Sequence, residues 1–591
     1  MDGTSLPAFH TTLLPRLFDR LQDPACAPAL IFRDRRITAT QLLARAQRIH
    51  QALLQLEIRT GDCVGVCMQR APETLAALLA IWLCGAVYVP LDPQAPRERL
   101  RQQVSDAGLR LLLTQPELET AMAQLPVSLL PVLPLTDAAA ETAMPVKPAL
   151  PPLTQDSAAY LMFTSGSSGQ PKGVLLSHGN LATFFAAVAD LWLLAGDRTY
   201  LAAAGFTFDI SLFELLAPLL FGGTLVLADH AQHKDAEALL QLIASHAIDV
   251  VQATPSLWQL LGNCAWPTNC SIGLGISIGE PLPKSLAARL LTRCASLWNL
   301  YGPTECTIWA TAHRVSQADI AATAPVIVSL GQALPHYTAW LDHGELLLGG
   351  GAVALGYLPT PATITQRFRS DADGNRSYRT GDLAHCDESG HWHFGGRNDA
   401  QVKLNGHRVE LEEIEQSLQQ HYSVAQAACV VKHTQADGGG AQLLAFVVCK
   451  PGMPNRNAQR FNHWLADTLP AWMLPHRYLI VDALPLTANG KLDRQRLLQM
   501  AAETQQSTTP MLDPLASEVA SVFCQILEIP AIGANDSFFD LGGTSMLTAT
   551  LVLSLNQRFA TNLSLRQVLQ TPPTVQQLTR LLEQAGASPA S

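Results

Sequence analysis

The chain has 591 residues, which is too long for one hydrophobic core and predicts three or four folding units. Its formal charge of -10 is spread without acidic or basic blocks, which argues against a nucleic-acid partner and favours a small metabolite as ligand. The twelve cysteines form no Cys-x-x-Cys pair and no Cys/His cluster at zinc spacing, so we expect reduced thiols in a cytoplasmic protein.

Two segments near the N-terminus bear on whether the chain meets a membrane. Residues 1–16 contain an early acid and two prolines and lack the continuous apolar core of a signal peptide. The apolar run 74–91 approaches the roughly 18 to 20 residues that span a bilayer. Because Gly85 interrupts this run, we interpret it as a buried helix followed by a core strand, and we expect no membrane partner.

Residues 1–395 alternate helical patterns with short apolar runs, which is typical of an α/β domain with a parallel sheet. The pattern starts with a helix at 41–56 and a strand at 63–67. It continues with strand-like runs at 201–204, 224–227, 250–253 and 275–278. Residues 115–152 are rich in Pro and Ala and predict surface connections around one or two weak strands. The segment 1–395 therefore predicts a large layered α/β body.

The rest of the chain predicts a smaller α+β domain at 396–500, a polar linker at 501–512 and a bundle of four short amphipathic helices at 513–586. The elements predicted in the smaller domain are a charged helix, two strands and a glycine-rich hairpin tip, at residues 410–420, 428–431, 443–448 and 438–440.

A loop rich in serine and glycine joins two apolar runs, at 158–163 and 174–178, that predict buried strands. The loop reads Thr164-Ser165-Gly166-Ser167-Ser168-Gly169-Gln170-Pro171-Lys172-Gly173. Such a loop offers backbone N–H groups and hydroxyls to phosphate oxygens, and Lys172 adds a positive charge. The Walker A pattern is absent, and no helix is expected directly after the lysine. On these ten residues alone, a mobile Ser/Gly turn remains the alternative.

Seven further motifs accompany this loop in order along the chain. They are Phe208-Asp209-Ile210-Ser211, Asn299-Leu300-Tyr301-Gly302-Pro303-Thr304-Glu305, Gly344-Glu345-Leu346, Tyr378-Arg379-Thr380-Gly381-Asp382-Leu383, Gly396-Arg397-Asn398-Asp399-Ala400-Gln401-Val402-Lys403, Leu469-Pro470-Ala471-Trp472-Met473-Leu474-Pro475 and Asn489-Gly490-Lys491-Leu492-Asp493-Arg494. With the loop they resemble the adenylation domain of a non-ribosomal peptide synthetase, an adenylate-forming fold whose small C-terminal subdomain is mobile. The later motif Asp536-Ser537-Phe538-Phe539-Asp540-Leu541-Gly542-Gly543-Thr544-Ser545 resembles that of a peptidyl carrier domain. Mild departures at Ser168, 354–355 and 404–405 fall mostly on supporting positions.

The resemblance implies that the α/β body holds ATP so that an amino-acid carboxylate attacks its α-phosphate. Tyr301 would stack on adenine and Asn299 would reach its amino edge. Asp382 would accept from the ribose hydroxyls with Arg397 donating nearby, and Glu305 would hold Mg²⁺. The full nucleotide-binding set implied is Ser165, Gly166, Ser167, Ser168, Gly169, Asn299, Tyr301, Gly302, Thr304, Asp382 and Arg397. The alternatives are a core aromatic contact for Tyr301, a solvated carboxylate for Glu305 and a surface ion pair between Asp382 and Arg397.

Three further roles follow from the resemblance. Lys491 would bridge the substrate carboxylate and the α-phosphate, forming the catalytic group with Glu305, Thr164 and Lys172, although a solvated lysine in an Asn-Gly turn is the default interpretation. Asp399 occupies the position of the hinge about which the small domain rotates, with a simple turn residue as the alternative. Ser545 follows two glycines at a predicted helix start, as an ordinary N-cap or, as the ten-residue match favours, the attachment point of 4′-phosphopantetheine.

The positions that line the amino-acid pocket in this family correspond to Asp209, Ile210, Phe213, Gln252, Ile276, Ile278, Leu300, Ile308, Trp309 and Lys491. A carboxylate at Asp209 pairs with an α-ammonium group, which favours an α-amino acid over the aryl or fatty acids that relatives of the fold activate. The other residues are mostly bulky and apolar, so the set predicts a very small substrate, glycine first and alanine next. Phe213 and Ile278 depart from glycine-selective pockets.

The resulting hypothesis is an ATP-dependent ligase that loads its own carrier domain, as a loading module of non-ribosomal peptide biosynthesis. The alternatives are an acyl or aryl acid ligase fused to a carrier, and a degenerate adenylation platform whose carrier alone is active. Since condensation and thioesterase domains are not found in the sequence, we expect a separate downstream condensation or tailoring enzyme. A phosphopantetheinyl transferase is the other implied partner, and the need for a small accessory activator protein stays open.

Overall fold

The computed structural model describes residues 12–23, 29–133, 147–166, 171–192, 198–267, 270–321, 326–359, 367–399, 401–404, 406–433, 441–450, 458–486, 492–503, 514–527, 532–534, 538–539, 545–569 and 573–585. The chain divides into two compact units. The first comprises Met1–Thr164 and Pro171–Asp399, and the second comprises Ser165–Gln170 and Ala400–Ser591.

The helices of the first unit are α1 (Leu14–Gln22), α2 (Ala39–Gln55), α3 (Pro72–Leu83), α4 (Arg97–Asp106), α5 (Pro116–Met122), α6 (His178–Trp192), α7 (Ile210–Phe221), α8 (Ala236–Ser245), α9 (Pro255–Asn263), α10 (Lys284–Leu290) and α11 (Gln317–Ala321). Its strands are β1 (Leu30–Phe32), β2 (Arg35–Ile37), β3 (Cys63–Cys67), β4 (Val87–Leu91), β5 (Leu111–Thr114), β6 (Leu129–Pro131), β7 (Ala158–Thr164), β8 (Lys172–Ser177), β9 (Thr199–Ala202), β10 (Thr224–Leu227), β11 (Val250–Ala253), β12 (Ile272–Ser277), β13 (Cys294–Tyr301), β14 (Thr311–Arg314), β15 (Gln332–Ala333), β16 (Tyr337–Asp342), β17 (Glu345–Gly350), β18 (Gly356–Leu358), β19 (Phe368–Ser370), β20 (Arg376–Cys386) and β21 (Trp392–Arg397).

Two largely parallel sheets form the body of the first unit. In the described residues one sheet has the strand order β15-β14-β13-β12-β11-β9-β10-β1-β2 and the other has the order β18-β8-β7-β4-β3-β5-β6. Helices lie against these sheets, and α3 is buried along its whole length, as expected of a helix that is apolar on every side. The predicted layered α/β body is confirmed.

A third sheet in the first unit is antiparallel, with the order β16-β17-β20-β19 and with β21 paired to β20. Its register places Asp382 of β20 opposite Arg397 of β21. The sequence analysis does not predict this sheet, because residues 376–397 mix charged and apolar side chains without a clean alternation.

The strand after the serine-rich loop ends one residue earlier than the predicted run at 174–178. Strand β8 ends at Ser177, and α6 begins at His178. Ser177 and Asn180 cause this change, since Ser177 N–H donates to Asn180 Oδ1 (2.9 Å) and Asn180 N–H donates to Ser177 Oγ (3.1 Å). This reciprocal pair satisfies N–H groups that the first turn of a helix leaves unpaired.

The helices of the second unit are α12 (Leu411–Gln419), α13 (Ala458–Ala466), α14 (Arg494–Glu503), α15 (Pro514–Leu527), α16 (Ser545–Phe559), α17 (Leu565–Leu569) and α18 (Val575–Gln584), and its strands are β22 (Gln401–Leu404), β23 (His407–Glu410), β24 (Val424–His433), β25 (Ala441–Cys449) and β26 (Arg477–Ile480). Strands β22 and β23 form a hairpin, and β24-β25-β26 form a sheet with a buried apolar cluster on each face. Helices α15 to α18 enclose a separate core, which confirms the predicted α+β domain and carrier bundle.

Some local predictions need correction. The Pro- and Ala-rich segment 115–152 contains α5 as well as the short strand β6, because Pro116 at the first turn starts a helix whose early acids suit its N-terminus. Helix α14 continues to Glu503, so the linker predicted from residue 501 would begin inside this helix. The hairpin tip 438–440, the Asn-Gly turn at 489–490 and the rest of the linker, 504–512, lie outside the described residues.

Two further findings concern the thiols and the membrane. Each cysteine in the described part of the chain is a free thiol. Within that same part, every helix falls short of the length and apolar character that crossing a bilayer requires.

Candidate active site

Three neighbouring parallel strands of the first unit present the predicted pocket residues in one row. Gln252 of β11 lies beside Ile276 of β12, and Ile276 lies beside Trp298 of β13. Since side chains alternate along a strand, Ile278 and Leu300 lie on the same face two residues further on. Both belong to the buried cluster that contains Ile276, so Ile278 is packed on this face of the sheet.

Asp209 precedes helix α7 and is 8% exposed. In the described part of the chain its Oδ2 atom is buried and has no hydrogen-bond partner. Burial raises the pKa of Asp209 to about 6, and the negative charge of Glu305 adds to this rise. Hydrogen bonds from the Thr304 side chain and from the backbone N–H groups of Ile210 and Ile308 act in the opposite direction and lower the pKa. A buried carboxylate oxygen that lacks a hydrogen-bond partner suits a cationic donor.

Aromatic rings close the space next to this row. The ring centroids of Phe213 and Trp309 are 4.5 Å apart, and the ring of Trp192 lies 5.4 Å from Trp309 and 5.6 Å from Trp298. Phe213 and Trp309 are both buried, on α7 and after Glu305 respectively. The predicted pocket residues Phe213 and Trp309 therefore belong to one packed aromatic cluster.

The segment that carries Ile308 and Trp309 has an unusual backbone. Thr307 and Ile308 adopt positive φ values of 57° and 67°, which β-branched residues rarely do. Thr307 is held there because its hydroxyl donates to the Ala352 carbonyl (2.6 Å). Gly302 lies directly against this segment, and a Cβ on it would come within 2.7 Å of the Trp309 Cα. Glycine at 302 is thus explained by close backbone packing.

Glu305 is fully buried and lies close to Lys172 at the start of β8. Lys172 Nζ lies 3.7 Å from Glu305 Oε1, and the Tyr357 hydroxyl donates to the same oxygen (2.6 Å). Thr164 is opposite Lys172 in the β7–β8 pair, so the two ends of the serine-rich loop are joined at this point. A buried carboxylate next to a lysine is a combination that can hold a metal ion and phosphate oxygens.

The predicted ribose-binding residues form one chain of hydrogen bonds. Arg397 donates to Asp382 and also pairs side-on with Asp399, through Nε (2.7 Å) and Nη2 (2.8 Å). Tyr301 donates its hydroxyl to Asp382, and burial together with that carboxylate raises the pKa of Tyr301 well above its ordinary value. Arg367 donates to Asp399 (3.0 Å). The structure thus joins the predicted ribose site to the predicted hinge residue.

Asn299 and the serine-rich loop complete the predicted nucleotide set. Asn299 Nδ2 donates to the Ser329 carbonyl (2.7 Å), while its buried Oδ1 has no partner in the described region. In the second unit Ser165 donates to the Arg408 carbonyl (2.7 Å), and the Gly166 N–H donates to Glu413 (3.3 Å). Ser167, Ser168, Gly169 and Lys491 lie outside the described residues, and so does the side chain of Ser545, at which α16 begins.

The sequence analysis missed several residues that the structure brings to this region. Trp298 could have been found, because it lies two residues before Leu300 on β13 and therefore faces the same side of the sheet. Glu214 carries a signal as well, since it is an acid within the otherwise apolar helix α7. The sequence offers no comparable signal for Trp192 or Tyr357, which reach the site from distant segments.

Family comparisons match three parts of the chain in the predicted order. A model described as AMP-binding enzyme matches residues 17–358, one described as AMP-binding enzyme C-terminal domain matches residues 413–491, and one described as phosphopantetheine attachment site matches residues 517–582.

Known relatives agree with this order. Phosphinothricin tripeptide synthetase PhsC of Streptomyces viridochromogenes is 34% identical over 97% of this chain, which spans about half (53%) of that protein. A solved structure of holo-PA1221, a non-ribosomal peptide synthetase protein with adenylation and PCP domains bound to a vinylsulfonamide inhibitor, is 28% identical with a TM-score of 0.80, covering 98% of each chain. Holo-AB3403, a four-domain synthetase bound to AMP and glycine, is 31% identical with a TM-score of 0.59, covering 98% of this chain and 43% of the other.

Proposed function

Because the chain belongs to the AMP-binding enzyme family, as an adenylation domain followed by a carrier domain, we propose that it activates a small amino acid with ATP and loads it onto Ser545. The family consists of ATP-dependent ligases, and its cofactors, ATP with Mg²⁺ and 4′-phosphopantetheine, are those that the sequence predicts. Glycine is the preferred substrate in this proposal, and alanine comes next.

The observation that carries the proposal is Asp209. A buried carboxyl group with one unpartnered oxygen raises the free energy of the folded protein, and a ligand that supplies a cationic donor removes this penalty. An α-ammonium group is such a cation, whereas the chain of a fatty acid or an aryl acid offers no donor at this position. Asp209 therefore supports an amino-acid ligase over the acyl or aryl acid alternative.

The packing of the predicted pocket residues supports a very small amino acid. The rings of Phe213 and Trp309 are in contact, and Ile276, Ile278 and Leu300 are buried in the same cluster. A side chain larger than hydrogen would have to displace one of these groups, and overpacking of this kind typically costs about 1 to 3 kcal/mol. AB3403, which resembles this chain, is bound to glycine and AMP, and this is consistent with the proposal.

At the nucleotide end, the residues fit the groups assigned to them. The carboxylate oxygens of Asp382 can accept hydrogen bonds from ribose hydroxyls when these replace the hydrogen bonds from Tyr301 or Arg397. Mg²⁺ is usually bound by one or two carboxylates together with substrate phosphates, so the buried carboxylate of Glu305 fits this ion. The ion would neutralise phosphate charge, and Lys172 beside Glu305 would contribute a second positive charge.

The carrier domain supplies the second half of the proposed reaction. Ser545 is the first residue of α16 and lies within the segment matched as a phosphopantetheine attachment site. The thiol of the attached arm would attack the aminoacyl adenylate, forming the thioester and releasing AMP. As a loading module, the chain would receive its arm from a phosphopantetheinyl transferase and pass the amino acid to a separate condensation or tailoring enzyme. Lys491 and Asp399 keep their proposed roles as charge partner and hinge.

The experiment that tests this function is ATP–pyrophosphate exchange with the purified chain and each of the twenty amino acids. We expect exchange with glycine above that with alanine, and little with larger residues. Exchange with no amino acid would favour the degenerate platform, and exchange only with aryl or fatty acids would favour the alternative ligase. Best activity with a β-branched or aromatic amino acid would refute the pocket assignment and leave the adenylation chemistry intact.

A further inference from the structure

Glu214 is a buried acid on helix α7, only 2% exposed, and its two carboxylate oxygens serve different neighbours. Oε2 accepts from the backbone N–H groups of Ala203 (3.0 Å) and Ala204 (2.9 Å), which follow strand β9. Oε1 accepts from Gln252 Nε2 (3.3 Å). One carboxylate therefore joins the end of β9 to a residue of the predicted amino-acid pocket.

The orientation of the Gln252 side chain follows from this contact. Its Nε2 group also donates to the Ile210 carbonyl (3.0 Å), so both neighbours of Nε2 are acceptors. The reversed amide would put Oε1 against a carbonyl oxygen and a carboxylate, which is repulsive. Oε1 therefore points the other way, where it is buried and has no partner in the described part of the chain.

Gln252 contacts the segment that carries the proposed ammonium partner Asp209. Gln252 is beside Ile276 in the sheet, and the carbonyl that fixes its amide belongs to the residue after Asp209. Asp209 Oδ2 and the Tyr160 hydroxyl are further buried polar atoms without a partner in the described residues, and the charge of Asp209 adds to the rise in the Tyr160 pKa that burial causes. Buried acceptors are nearly always satisfied in folded proteins, so the unpartnered oxygens of Gln252 and Asp209 indicate a missing donor.

A second buried charge, that of Arg70, holds the same end of β9. Arg70 donates to the carbonyls of Ala202 (2.7 Å), Ala204 and Ala228 (2.8 Å). The end of β9 is thus held through its carbonyls by Arg70 and through its N–H groups by Glu214. Burial raises the pKa of Glu214 to about 7, although the N–H of Ala204, the charge of Arg70, the amide of Gln252 and the N–H of Ala203 oppose the rise.

From these contacts we propose that Glu214 is a positioning residue, which holds Gln252 so that its amide oxygen accepts a hydrogen bond from the α-ammonium group of the substrate. This inference rests on the proposed function and adds a second acceptor to the ammonium site. Glu214 itself does not touch the substrate in this proposal. It acts by keeping a donor, the Gln252 amide nitrogen, away from the cation.

The test is steady-state ATP–pyrophosphate exchange with glycine, using the full chain and the variant Glu214→Gln. In this variant the new side-chain amide must direct its NH₂ group either toward the Gln252 amide nitrogen or toward the two backbone N–H groups. The first arrangement brings two donors together, and reversal of the Gln252 amide relieves their repulsion. We expect KM for glycine to rise by about 10- to 100-fold, the loss typical of one hydrogen bond to a charged group, with KM for ATP unchanged.

Two further variants separate positioning from a general structural effect. Gln252→Met removes the acceptor directly and should raise KM for glycine to a similar level, even if Glu214→Gln folds poorly. The double variant should be no worse than Gln252→Met alone, because Glu214 acts through Gln252. Asp235→Asn is the control, since Asp235 also accepts two backbone N–H groups, of Glu237 and Ala238, but lies at the start of α8 away from the pocket.

The possible outcomes distinguish this inference from the function on which it rests. If the wild-type chain exchanges with no amino acid, the proposed function fails and the inference fails with it. If the wild type uses glycine but Gln252→Met keeps its KM, or if the effects of the two substitutions multiply, the positioning role alone is refuted. A rise in KM for ATP equal to that for glycine would also refute it.

Discussion

Replacing Asp209 by asparagine removes the proposed negative partner of the substrate ammonium with little change in volume. Removing one member of a buried, hydrogen-bonded charge pair typically costs about 2 to 5 kcal/mol, which is roughly 30- to 5,000-fold in kcat/KM. Asp209 is 8% exposed, so solvent screens the pair little. Asparagine keeps one oxygen that can still accept from the ammonium, so we expect a value near the lower end, about 100-fold.

The assay is pyrophosphate exchange with glycine and ATP varied separately at several pH values. Burial raises the pKa of Asp209 to about 6, so in the free wild-type enzyme the carboxylate becomes protonated, and loses its charge, as the pH falls through 6. We therefore expect kcat/KM for glycine to fall tenfold per pH unit below about 6. Asp209→Asn should lack this limb, and its KM for ATP should match that of the wild type.

Three results would count against this reasoning. Equal losses for glycine and ATP would mean that Asp209 supports the whole site and not the ammonium. A wild-type profile without a limb near pH 6 would show that another group binds the cation. Retention of full activity by the variant would place the amino-acid pocket elsewhere.

Two other substitutions test volume and the carrier. Ile278→Gly should enlarge the pocket and let alanine or serine compete with glycine. We expect the alanine-to-glycine ratio of kcat/KM to rise by roughly tenfold, because one misfit group changes selectivity by about this factor. An unchanged ratio in exchange assays would exclude Ile278 from the pocket. Ser545→Ala should form aminoacyl adenylate normally but carry neither phosphopantetheine nor thioester, because the serine belongs to the carrier bundle. Intact-mass measurement after treatment with a phosphopantetheinyl transferase and CoA checks this, and a mutant that gains the arm would contradict the assignment.

The elements that the sequence predicts well are those with a strong local signal. The fully buried helix α3 and the short strand β3 follow from runs of apolar residues. The ends of elements are harder to predict, because they depend on side-chain contacts. Strand β8, for example, ends at Ser177 because Asn180 exchanges hydrogen bonds with it, and the apolar pattern alone gives no sign of this.

The candidate site shows the same division. The motifs give the identity of Asp209, Glu305 and Asp382, since each lies in a stretch with a recognisable order of residues. They do not give the contacts of these residues, which come from distant segments. The Tyr357 hydroxyl that donates to Glu305 is 52 positions away along the chain. Such partners depend on the packing of two sheets, and no local pattern encodes them.

Charge and volume should act independently in this pocket, and combining Asp209→Asn with Ile278→Gly tests this. The ammonium group is common to all α-amino acids, so losing its partner should lower kcat/KM for glycine and alanine by the same factor. Ile278 is packed with the apolar wall, so its loss should change only the ratio between the two substrates. Effects of residues that share no partner usually add as free energies. We therefore expect the alanine-to-glycine ratio of the double variant to equal that of Ile278→Gly within about twofold, an interaction of roughly 0.5 kcal/mol. A larger change would mean that Asp209 also sets the position of the substrate's α-carbon, and that the ammonium site and the pocket wall form one coupled unit.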